Sequence, residues 1–359
     1  MPTFNLKRVD WVLNGIVLAL AIFSLITISS IAPHLFWQQL IWFILGFGLI
    51  LLFSQIDWRP LINHRWIIFS IYFFFVGLLG ITFLFAPTIR GIRGWLVIGP
   101  FQMQTSEFVK IALIIVFAYF FARRHVGIAL WRNIFIPFVY LLIPAVFVLL
   151  QPDLGSALIL FGLWIGFLLV SGIRMKHIAI GLLILSTVVI WSWSGFLQDY
   201  QKERIVGLFN PEYDPLGVNY NVIQAKIAIG SAGFLGKGYG QGTQVQLGFL
   251  PEAPTDFILA ALIEEWGLLG GLILIGLFFM LLFRIIRIGS LAKNNFPKLL
   301  CLGTVILFIL HFIINVGSNI GLLPVIGVPF PFLSYGGSNL LTSAALIGIV
   351  QSIANRFSF

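Results

Sequence analysis

The segment Trp66–Ala86, with the sequence WIIFSIYFFFVGLLGITFLFA, has 21 residues and no charged side chain. A helix of about 20 apolar residues is what the hydrocarbon core of a bilayer requires, because each residue rises about 1.5 Å and the core is roughly 30 Å thick. The whole chain of 359 residues is 60% hydrophobic and 9% charged. Soluble domains carry about 25% charged residues, so the sequence predicts a membrane protein.

Similar apolar runs recur along the whole chain. They predict ten membrane-spanning helices, near residues 12–33, 36–55, 66–86, 105–122, 134–150, 154–172, 178–196, 255–283, 299–318 and 338–355. A membrane β-barrel would alternate polar and apolar residues over about ten positions, and no segment of the sequence does so. We therefore predict an all-α polytopic bundle that forms a single domain over residues 1–359.

The basic residues indicate the orientation, because loops rich in Lys and Arg remain in the cytoplasm. With the N-terminus inside, fourteen of the 21 Lys and Arg residues fall in inner loops, whereas only Asp10 and Asp57 of the 12 acidic residues do. Both termini are therefore predicted to be cytoplasmic. The long polar break at residues 197–254, between helices 7 and 8, is predicted to be extracytoplasmic. This topology accounts for the net charge of +9, so we expect no nucleic-acid surface.

The long break is expected to be folded, since a structureless connection of nearly sixty residues is unusual. Residues 219–233 predict a short amphipathic helix, with Asn221 and Gln224 as a capping box, that lies on the membrane or against the bundle. The glycine-rich run 236–244 leaves two alternatives open. It is an ordinary loop, or its backbone approaches a phosphate, for which Lys237 would supply positive charge.

Four carboxylates follow in and after this break. Asp256 is predicted to lie in the first turn of the eighth helix, four residues after Glu252. An acid at that place can complement the helix dipole, act as a base or hold a divalent cation. Glu264 and Glu265 lie deeper, where an unpaired charge is costly. One of these two is expected to pair with Lys110 or another cation, or to be protonated.

Polar residues also collect before the fourth span. Thr105 or Ser106 is predicted to cap this helix, and Glu107 and Lys110 share one of its faces because they are three residues apart. One alternative is a capped helix with an internal ion pair. The other is that Arg93 and Lys110 present positive charge outside, suited to a phosphate-bearing lipid.

Two further connections on the same side carry polar residues. Asp153 follows Pro152 and is predicted to cap the sixth span, with an additional role at an external site left open. Asn315 and Asn319 precede the segment 320–338, which is rich in Pro and Gly. Irregular backbone at membrane depth is tolerated where protein covers it or where it lines a wet cavity. This segment is therefore predicted to be re-entrant and to border a cavity open to the outside.

Several motifs, in one order along almost the whole chain, resemble the shape, elongation, division and sporulation (SEDS) family. They are QTSEFVK at 104–110, QPDLG at 151–155, QAKIAIG at 224–230, GKG at 236–238, LPE at 250–252, TDF at 255–257, EEWG at 264–267 and PFLSYGGS at 331–338. Two departures are visible. Thr105 stands where the family usually has proline, and Pro254 stands where a histidine usually precedes the threonine. The second departure leaves the aspartate in place.

The resemblance implies a peptidoglycan glycosyltransferase of ten spans in the bacterial cytoplasmic membrane. Such an enzyme polymerises the lipid-linked disaccharide-pentapeptide, lipid II, on the outer face of the membrane during cell-wall elongation and cell-shape maintenance. Its implied partners are a class B penicillin-binding protein, which crosslinks the strands, and the elongation machinery. By resemblance, Asp256 matches the essential aspartate of the family. The division and sporulation members share these motifs, so the elongation type is the narrower expectation.

Inverting displacement of a lipid pyrophosphate needs a base for the acceptor 4-hydroxyl and positive charge near the leaving group. Asp256 is the candidate base, or a ligand of a divalent cation, Mg²⁺ or Mn²⁺, that neutralises the pyrophosphate. The candidate substrate-binding residues are Arg93, Lys110, Lys237, Glu107, Asp153 and Ser334. The candidate supporting residues are Glu252, Glu264, Glu265, Asn315 and Asn319.

Two other functions are compatible with this class of protein. A lipid II flippase needs a polar route through the whole membrane, whereas nearly every acidic residue here is predicted to lie in the outer half. That distribution favours chemistry on one side over translocation. The other alternative is a non-catalytic scaffold for the penicillin-binding protein. Loss of polymer on changing Asp256 alone, with assembly intact, would argue against it.

Overall fold

The computed structural model describes residues 9–88, 91–99, 101–123, 131–173, 176–177, 199–210, 214–217 and 219–357, together with positions 181, 187, 193 and 195. These residues form a helical bundle with one small β-hairpin. The helices are α1 Trp11–Ile31, α2 Pro33–Gln55, α3 Arg65–Phe85, α4 Thr105–Ala122, α5 Trp131–Leu150, α6 Leu154–Val170, α7 Asp199–Phe209, α8 Tyr220–Ser231, α9 Thr243–Gln246, α10 Ile258–Leu291, α11 Asn295–Asn319 and α12 Gly337–Phe357. A 3₁₀ turn, Arg59–Asn63, separates α2 from α3.

Eight of these helices, α1–α5 and α10–α12, are long and apolar enough to cross a membrane. The helix α6 corresponds to the sixth predicted span, 154–172, but has only 17 residues. The seventh predicted span, 178–196, lies almost entirely outside the described residues. The chain is therefore a multi-pass helical membrane protein, and the count of ten spans remains a prediction.

Charged residues join several helix ends on one face of the bundle. Asp10 caps α1 by accepting from the backbone N–H of Leu13 at 3.0 Å, and its carboxylate also lies 2.6 Å from Arg284 of α10. Arg356, near the end of α12, lies 3.6 Å from Asp57, which follows α2. These contacts bring the start of α1 and the ends of α2 and α12 to one end of the bundle. We call this end the basal face and the opposite end the loop face.

Two helices, α4 and α12, form the centre of the bundle and are almost completely buried by their neighbours. The helix α12 packs along α2, and α4 contacts α3, α5, α6, α11 and α12. A Cβ atom added at Gly46 of α2 would lie 2.7 Å from Leu340, and one at Gly348 of α12 would lie 2.7 Å from Phe53. Since lipid tails are as apolar as these side chains, close packing at small residues holds such helices together.

The all-α prediction missed a short hairpin ahead of α4. Strand β1, Trp95–Ile98, pairs antiparallel with β2, Phe101–Gln104. Gly99 turns the chain with a φ of +60°, which glycine adopts without the steric cost of a Cβ. Aromatic and β-branched residues favour β1, but a strand of four residues does not stand out beside longer apolar spans. The hairpin leads directly into α4 and therefore fixes where that helix begins.

The described part of the long break 197–254 contains three helices, α7, α8 and α9. The helix predicted at 219–233 is confirmed as α8, and its Ala225 and Ala228 are buried. It packs against α10, α11 and α9. The break is therefore a folded part of the bundle's loop face.

Two predicted helix caps are wrong. The helix α8 begins at Tyr220, so Asn221 already lies inside it and cannot form the predicted capping box. The helix α4 begins at Thr105 without a side-chain cap. The hydroxyl of Thr105 instead lies 2.9 Å from that of Thr82, and the Ser106 hydroxyl lies 3.0 Å from that of Ser156. At α4, tertiary contacts therefore take the place of the local cap.

The helix α10, predicted as a continuous span, is interrupted at Gly267, where φ is 72° and ψ is −176°. A turn formed by residues 233–238 fills the break. The N–H groups of Leu268 and Leu269, which open the second half of the helix, donate to carbonyls of this turn at 3.1 Å each. Carbonyls at the end of the first half accept from N–H groups of the turn at 3.0 Å. The break is thus satisfied by backbone partners from the loop.

We expect Gly267→Ala to destabilise the protein strongly. A Cβ at Gly267 would lie 2.3 Å from the amide nitrogen of Gly236 and from the carbonyl oxygen of Phe234. The backbone conformation alone costs about 1–3 kcal/mol for a residue other than glycine. Thermal unfolding in detergent should show a clear loss, whereas Gly276→Ala in the same helix, with no atom within 4 Å of the added Cβ, should be neutral or mildly stabilising. Equal melting temperatures for both variants would contradict this account.

The segment 320–336, between α11 and α12, folds back into the bundle. Ser24 of α1 donates to the carbonyl of Leu333 at 2.7 Å, and the amide of Gln39 donates to the carbonyl of Ser334 at 3.4 Å. Ser24 lies seven residues before the end of α1, and at 1.5 Å per residue this is about 10 Å below that end. The predicted re-entrant segment is therefore confirmed, and surrounding helices cover its irregular backbone.

Candidate functional site

Asp256 lies on a tight turn two residues before α10 and is half-buried. The backbone N–H groups of Thr255, Asp256 and Phe257 all donate to the carbonyl of Glu252, at 3.3, 3.2 and 3.2 Å. The prediction that Asp256 falls within the first helical turn is therefore wrong by two residues. Three donors on one carbonyl make this turn compact, so the aspartate stands on a fixed backbone at the loop face.

One face of α11 supports this turn with polar side chains at a spacing of four residues. Asn315 and Asn319 each donate a side-chain N–H to the carbonyl of Asp256, at 3.1 and 2.8 Å. Asn319 also accepts from the backbone N–H of Ala260 at 3.0 Å, and Asn315 donates to the carbonyl of Val328 at 2.9 Å. Residues four apart lie above one another on a helix. The two asparagines therefore tie Asp256 to α10 and to the re-entrant segment.

The re-entrant segment holds the same turn from another direction. The hydroxyl of Ser334 donates to the carbonyl of Thr255 at 2.6 Å and accepts from the N–H of Phe330 at 2.9 Å. The backbone N–H of Tyr335 donates to the carbonyl of Pro254 at 2.8 Å. Three consecutive carbonyls, at residues 254, 255 and 256, thus have fixed partners. Ser334 acts here on the backbone of the turn, and its part in substrate binding remains a prediction.

We expect Asn319→Ala to lower the activity of the site more than its stability. The substitution removes one of the two donors to the Asp256 carbonyl and the acceptor for the Ala260 N–H. Misplacement of a catalytic group by about 1 Å can cost roughly 10²-fold in rate. Turnover and melting temperature should be compared with those of Ser318→Ala, which removes only a local bond to the carbonyl of Asn315. Equal activity of the two variants would contradict the positioning role.

A buried polar cluster lies deeper between α4, α11 and α12. Lys110 lies 2.6 Å from Glu107 and 3.2 Å from Nε2 of His311. Asn339 donates to the second carboxylate oxygen of Glu107 at 3.2 Å. Because the ammonium of Lys110 can only donate, Nε2 of His311 accepts, and its Nδ1 then donates to the carbonyl of Pro329 at 3.0 Å. The predicted pairing of Glu107 with Lys110 is confirmed.

The three candidate cations differ in exposure. Arg93 is exposed ahead of β1, where its Nε donates to the hydroxyl of Thr88 at 3.1 Å. Lys237 is partly exposed and lies 2.7 Å from Glu264. The side chain of Lys110 is only 2% exposed. The prediction that Lys110 presents charge at the outer surface is therefore wrong, because Glu107 and His311 hold it inside the bundle. Substrate binding by any of the three remains a prediction.

Glu264 fastens the glycine-rich loop to α10. Its carboxylate accepts from the ammonium of Lys237 at 2.7 Å and from the hydroxyl of Thr243 at 3.2 Å. It also accepts from the backbone N–H groups of Gln244 and Val245, at 2.9 and 3.3 Å. These N–H groups lie in the first turn of α9, where a negative charge is favourable. Glu264 therefore holds the loop that contains Lys237.

Glu265 is buried in a polar cluster with the end of α1. Its Oε1 accepts from the Ser30 hydroxyl, the Gln246 amide and the backbone N–H of Gly240. Its Oε2 is buried without a hydrogen-bond partner. The pairing of either glutamate with Lys110 is therefore wrong, whereas the alternative of another cation is confirmed for its neighbour Glu264.

Asp153 caps α6 as predicted, accepting from a backbone N–H of that helix at 2.9 Å. Its second oxygen accepts from the side-chain amide of Gln104 at 2.8 Å. The backbone N–H of Gln104 in turn donates to the hydroxyl of Ser338 at 2.7 Å. Segments far apart in the sequence therefore meet at the start of α4, beside the Glu107 ion pair.

His311 and Asn339 are not among the residues predicted from the sequence. A lone histidine inside an apolar span lacks the ligand spacing that marks a metal site in a sequence. The available signal was the spacing of His311, Asn315 and Asn319, which at intervals of four residues occupy one face of α11. Asn339 gave no such signal, because its partner Glu107 lies 232 residues away.

The donor set near Asp256 determines what kind of metal site could form. Among the residues that the structure describes, no group of three or more His, Cys, Asp or Glu side chains could hold a metal ion. Mg²⁺ is commonly held by one or two carboxylates together with water and substrate phosphates. Asp256, as a single protein carboxylate, fits that kind of site and does not fit an all-protein cage.

Comparison with known proteins places these observations in a family. The family model for the cell cycle proteins FtsW, RodA and SpoVE matches residues 8–358. The peptidoglycan glycosyltransferase MrdB of Escherichia coli K12 is 38% identical over 311 residues, covering 86% of this chain and 83% of that protein. The peptidoglycan glycosyltransferase RodA of Treponema pallidum is 29% identical over 390 residues, covering 89% of each.

Two solved structures share the fold. A chain of a peptidoglycan synthase complex, described as structurally coordinating polymerization and crosslinking, superimposes with a TM-score of 0.83 at 29% identity, covering 96% of this chain and 97% of that one. The rod shape determining protein RodA of Thermus thermophilus gives a TM-score of 0.71 at 25% identity, with 98% of each chain covered. The chain therefore belongs to the FtsW, RodA and SpoVE family, the SEDS family that its motifs resemble.

Proposed function

We propose that this chain is a peptidoglycan glycosyltransferase that polymerises lipid II at its loop face. The observation that carries the proposal is the fixed turn around Asp256, whose carbonyl and the two before it are each held by a hydrogen bond. A half-buried carboxylate on a rigid backbone is suited to proton transfer. Family membership and the names of the relatives support the same activity.

The proposed topology has ten spans, both termini in the cytoplasm and the loop face outside the bacterial cytoplasmic membrane. The basal face supports it, because Asp10, Arg284, Asp57 and Arg356 bring both ends of the described chain to one side of the bundle. Basic residues predominate in the connections on that side, as expected for cytoplasmic loops. The loop face carries Asp256 on the opposite side.

In the proposed reaction, Asp256 accepts the proton of the acceptor 4-hydroxyl as this oxygen attacks the anomeric carbon of the donor sugar. The bond from that carbon to the lipid pyrophosphate breaks, the electron pair leaves with the pyrophosphate, and the configuration inverts. Asn315, Asn319 and Ser334 keep the turn in place during this step. Arg93 and Lys237 are proposed to attract the pyrophosphate.

A divalent cation, Mg²⁺ or Mn²⁺, is the proposed cofactor. Asp256 would hold it, and it would supply positive charge that neutralises the pyrophosphate. The base role and the metal-ligand role of Asp256 are alternatives. The Mg²⁺ dependence of the polymerisation rate of Asp256→Asn distinguishes them. Lys110 and Glu107 lie deeper and are proposed to support the site through His311 and the re-entrant segment.

The proposed partner is a class B penicillin-binding protein within the elongation machinery. Support comes from the fold shared with a chain of a peptidoglycan synthase complex. A role in cell elongation and shape, instead of division or sporulation, is the finer part of the proposal. The relatives named MrdB and RodA favour it.

Polymerisation of labelled lipid II by the purified protein tests the proposal. We expect long glycan strands from the protein together with a class B penicillin-binding protein, in the presence of Mg²⁺, and loss of product with a chelator. Transport of labelled lipid II across liposomes is measured in parallel. Transport of lipid II without polymer formation would indicate a flippase and not a glycosyltransferase. If an intact complex shows no transport and no polymer, a scaffold role would be favoured.

A further inference from the structure

An exposed apolar turn at the loop face is not explained by the proposed catalytic site. Phe234 and Leu235 lie at the tip of the turn 233–238 and are 60% and 72% exposed. In water two adjacent large apolar side chains of this exposure are unfavourable, and a contiguous apolar surface usually marks a contact.

The turn is continuous with the lipid-facing surface of α10. Backbone N–H groups of Leu268 and Leu269 donate to carbonyls of the turn, including that of Phe234. Leu268, Leu272 and Ile273 of α10 are 48%, 53% and 47% exposed on a helix that spans the membrane. Apolar side chains exposed on such a helix face the acyl chains. Phe234 and Leu235 continue this apolar surface beside α10, at the same distance along the helix axis as Leu268.

Two independent measures give the depth of the turn. Leu268 precedes Arg284 of the basal face by sixteen residues, which at 1.5 Å per residue is roughly 24 Å. Tyr239, the residue directly after the turn, contacts α1, because its hydroxyl lies 2.9 Å from that of Ser29. Ser29 follows Asp10 of the basal face by nineteen residues, or roughly 28 Å. Both distances fall within a hydrocarbon core of about 30 Å, close to its far boundary.

The turn meets the conditions for contact with lipid. Four of its polar backbone groups are paired with the ends of the two halves of α10, and lipid-exposed backbone must be satisfied in this way. The ammonium of Lys237, the charged group of the turn, is paired with the Glu264 carboxylate at 2.7 Å. Tyr239 is 53% exposed at the same level, as is typical of aromatic residues at a membrane interface.

We infer that the turn 233–238 inserts Phe234 and Leu235 into the lipid of the leaflet at the loop face, as a membrane anchor for the loop. The anchor holds the Lys237–Glu264 contact, and with it α9, at a fixed height relative to the bilayer. The inference concerns membrane contact and does not depend on the chemistry at Asp256. Its test is therefore independent of the polymerisation assay.

The test places an environment-sensitive fluorophore at residue 235. Leu235→Cys is prepared in a Cys301→Ala background, which removes the single native cysteine, buried at 1% exposure, and keeps its Cβ. The labelled full-length protein is reconstituted in phospholipid nanodiscs. Leu272→Cys on the lipid face of α10 is the control for a lipid environment. Lys226→Cys, at a charged and exposed position of α8, is the control for water.

We expect blue-shifted emission at residue 235, strong quenching by lipids that carry a nitroxide near the headgroup, and iodide quenching several-fold weaker than at residue 226. Quenching by a deep nitroxide should be stronger at residue 272 than at residue 235. Emission and iodide quenching equal to those at residue 226 would overturn the inference. Shielding that appears only after a class B penicillin-binding protein is added would also overturn it, and would assign the surface to that partner.

Discussion

Asp256→Asn is expected to lower the rate of lipid II polymerisation by roughly 10²–10⁴-fold, the range that a positioned general base contributes. Asparagine keeps the shape of the side chain, so the backbone bonds from Asn315, Asn319 and Ser334 should survive. The proton-accepting carboxylate is lost. The melting temperature of the variant should therefore stay close to that of the unchanged protein.

The measurement is the initial rate with labelled lipid II, in complex with a class B penicillin-binding protein. The matched control is Glu252→Gln, because Glu252 lies on the same turn and accepts from the hydroxyl of Thr255 at 3.0 Å. We expect this control to retain activity within several-fold. Normal polymerisation by Asp256→Asn would remove the aspartate from the chemistry. Equal losses in both variants would indicate that the turn tolerates no change of charge.

A titration with Mg²⁺ distinguishes the two roles of Asp256. If the carboxylate is a metal ligand, the variant binds the ion more weakly, and high Mg²⁺ should restore part of the rate. If it is the base, the rate should remain low at every concentration. The reason is that the amide of asparagine cannot accept the proton of the acceptor hydroxyl, whatever the Mg²⁺ concentration.

Lys110→Met is expected to destabilise the protein by about 3–5 kcal/mol, the cost of breaking a buried ion pair by removing one partner. Lys110 and Glu107 are 2% and 4% exposed and lie 2.6 Å apart, so the remaining carboxylate would be an uncompensated charge inside the bundle. His311 would also lose the donor to its Nε2. Thermal unfolding in detergent should show the loss.

The double variant Glu107→Gln with Lys110→Met is the control for this effect. It removes both charges, and the glutamine can still accept from Asn339 as Glu107 does. We expect it to recover most of the stability. If it recovers stability but not polymerisation, the charges of the pair contribute to activity as well as to stability. A single variant as stable as the unchanged protein would contradict a structural role for the pair.

Much of the architecture could be predicted because its causes are local. The bilayer requires runs of about 20 apolar residues, so eight predicted spans correspond to described helices that are long and apolar enough to cross a membrane. Asp153 could be identified as a cap because a capping side chain binds N–H groups only two or three residues away. The ion pair of Glu107 and Lys110 followed from their spacing on one helical turn.

Predictions were wrong where distant partners compete with local ones. Thr105 and Ser106 do not cap α4, because hydroxyls on α3 and α6 take their hydrogen bonds. Lys110 is not at the surface, since His311, 201 residues away, joins it in the interior. The break at Gly267 is stable because a loop some thirty residues earlier supplies its backbone partners. A single sequence contains no direct record of such contacts.

The sequence by itself determined that the protein is a helical membrane bundle, where most spans lie and which carboxylates deserve attention, because lipid constrains length and charge residue by residue. Only the tertiary structure decided how the turn around Asp256 is held. Its partners Asn319 and Ser334 lie 63 and 79 residues from the carbonyls that they bind. Hydrogen bonds act over about 3 Å in space, and the chain distance between partners does not limit them.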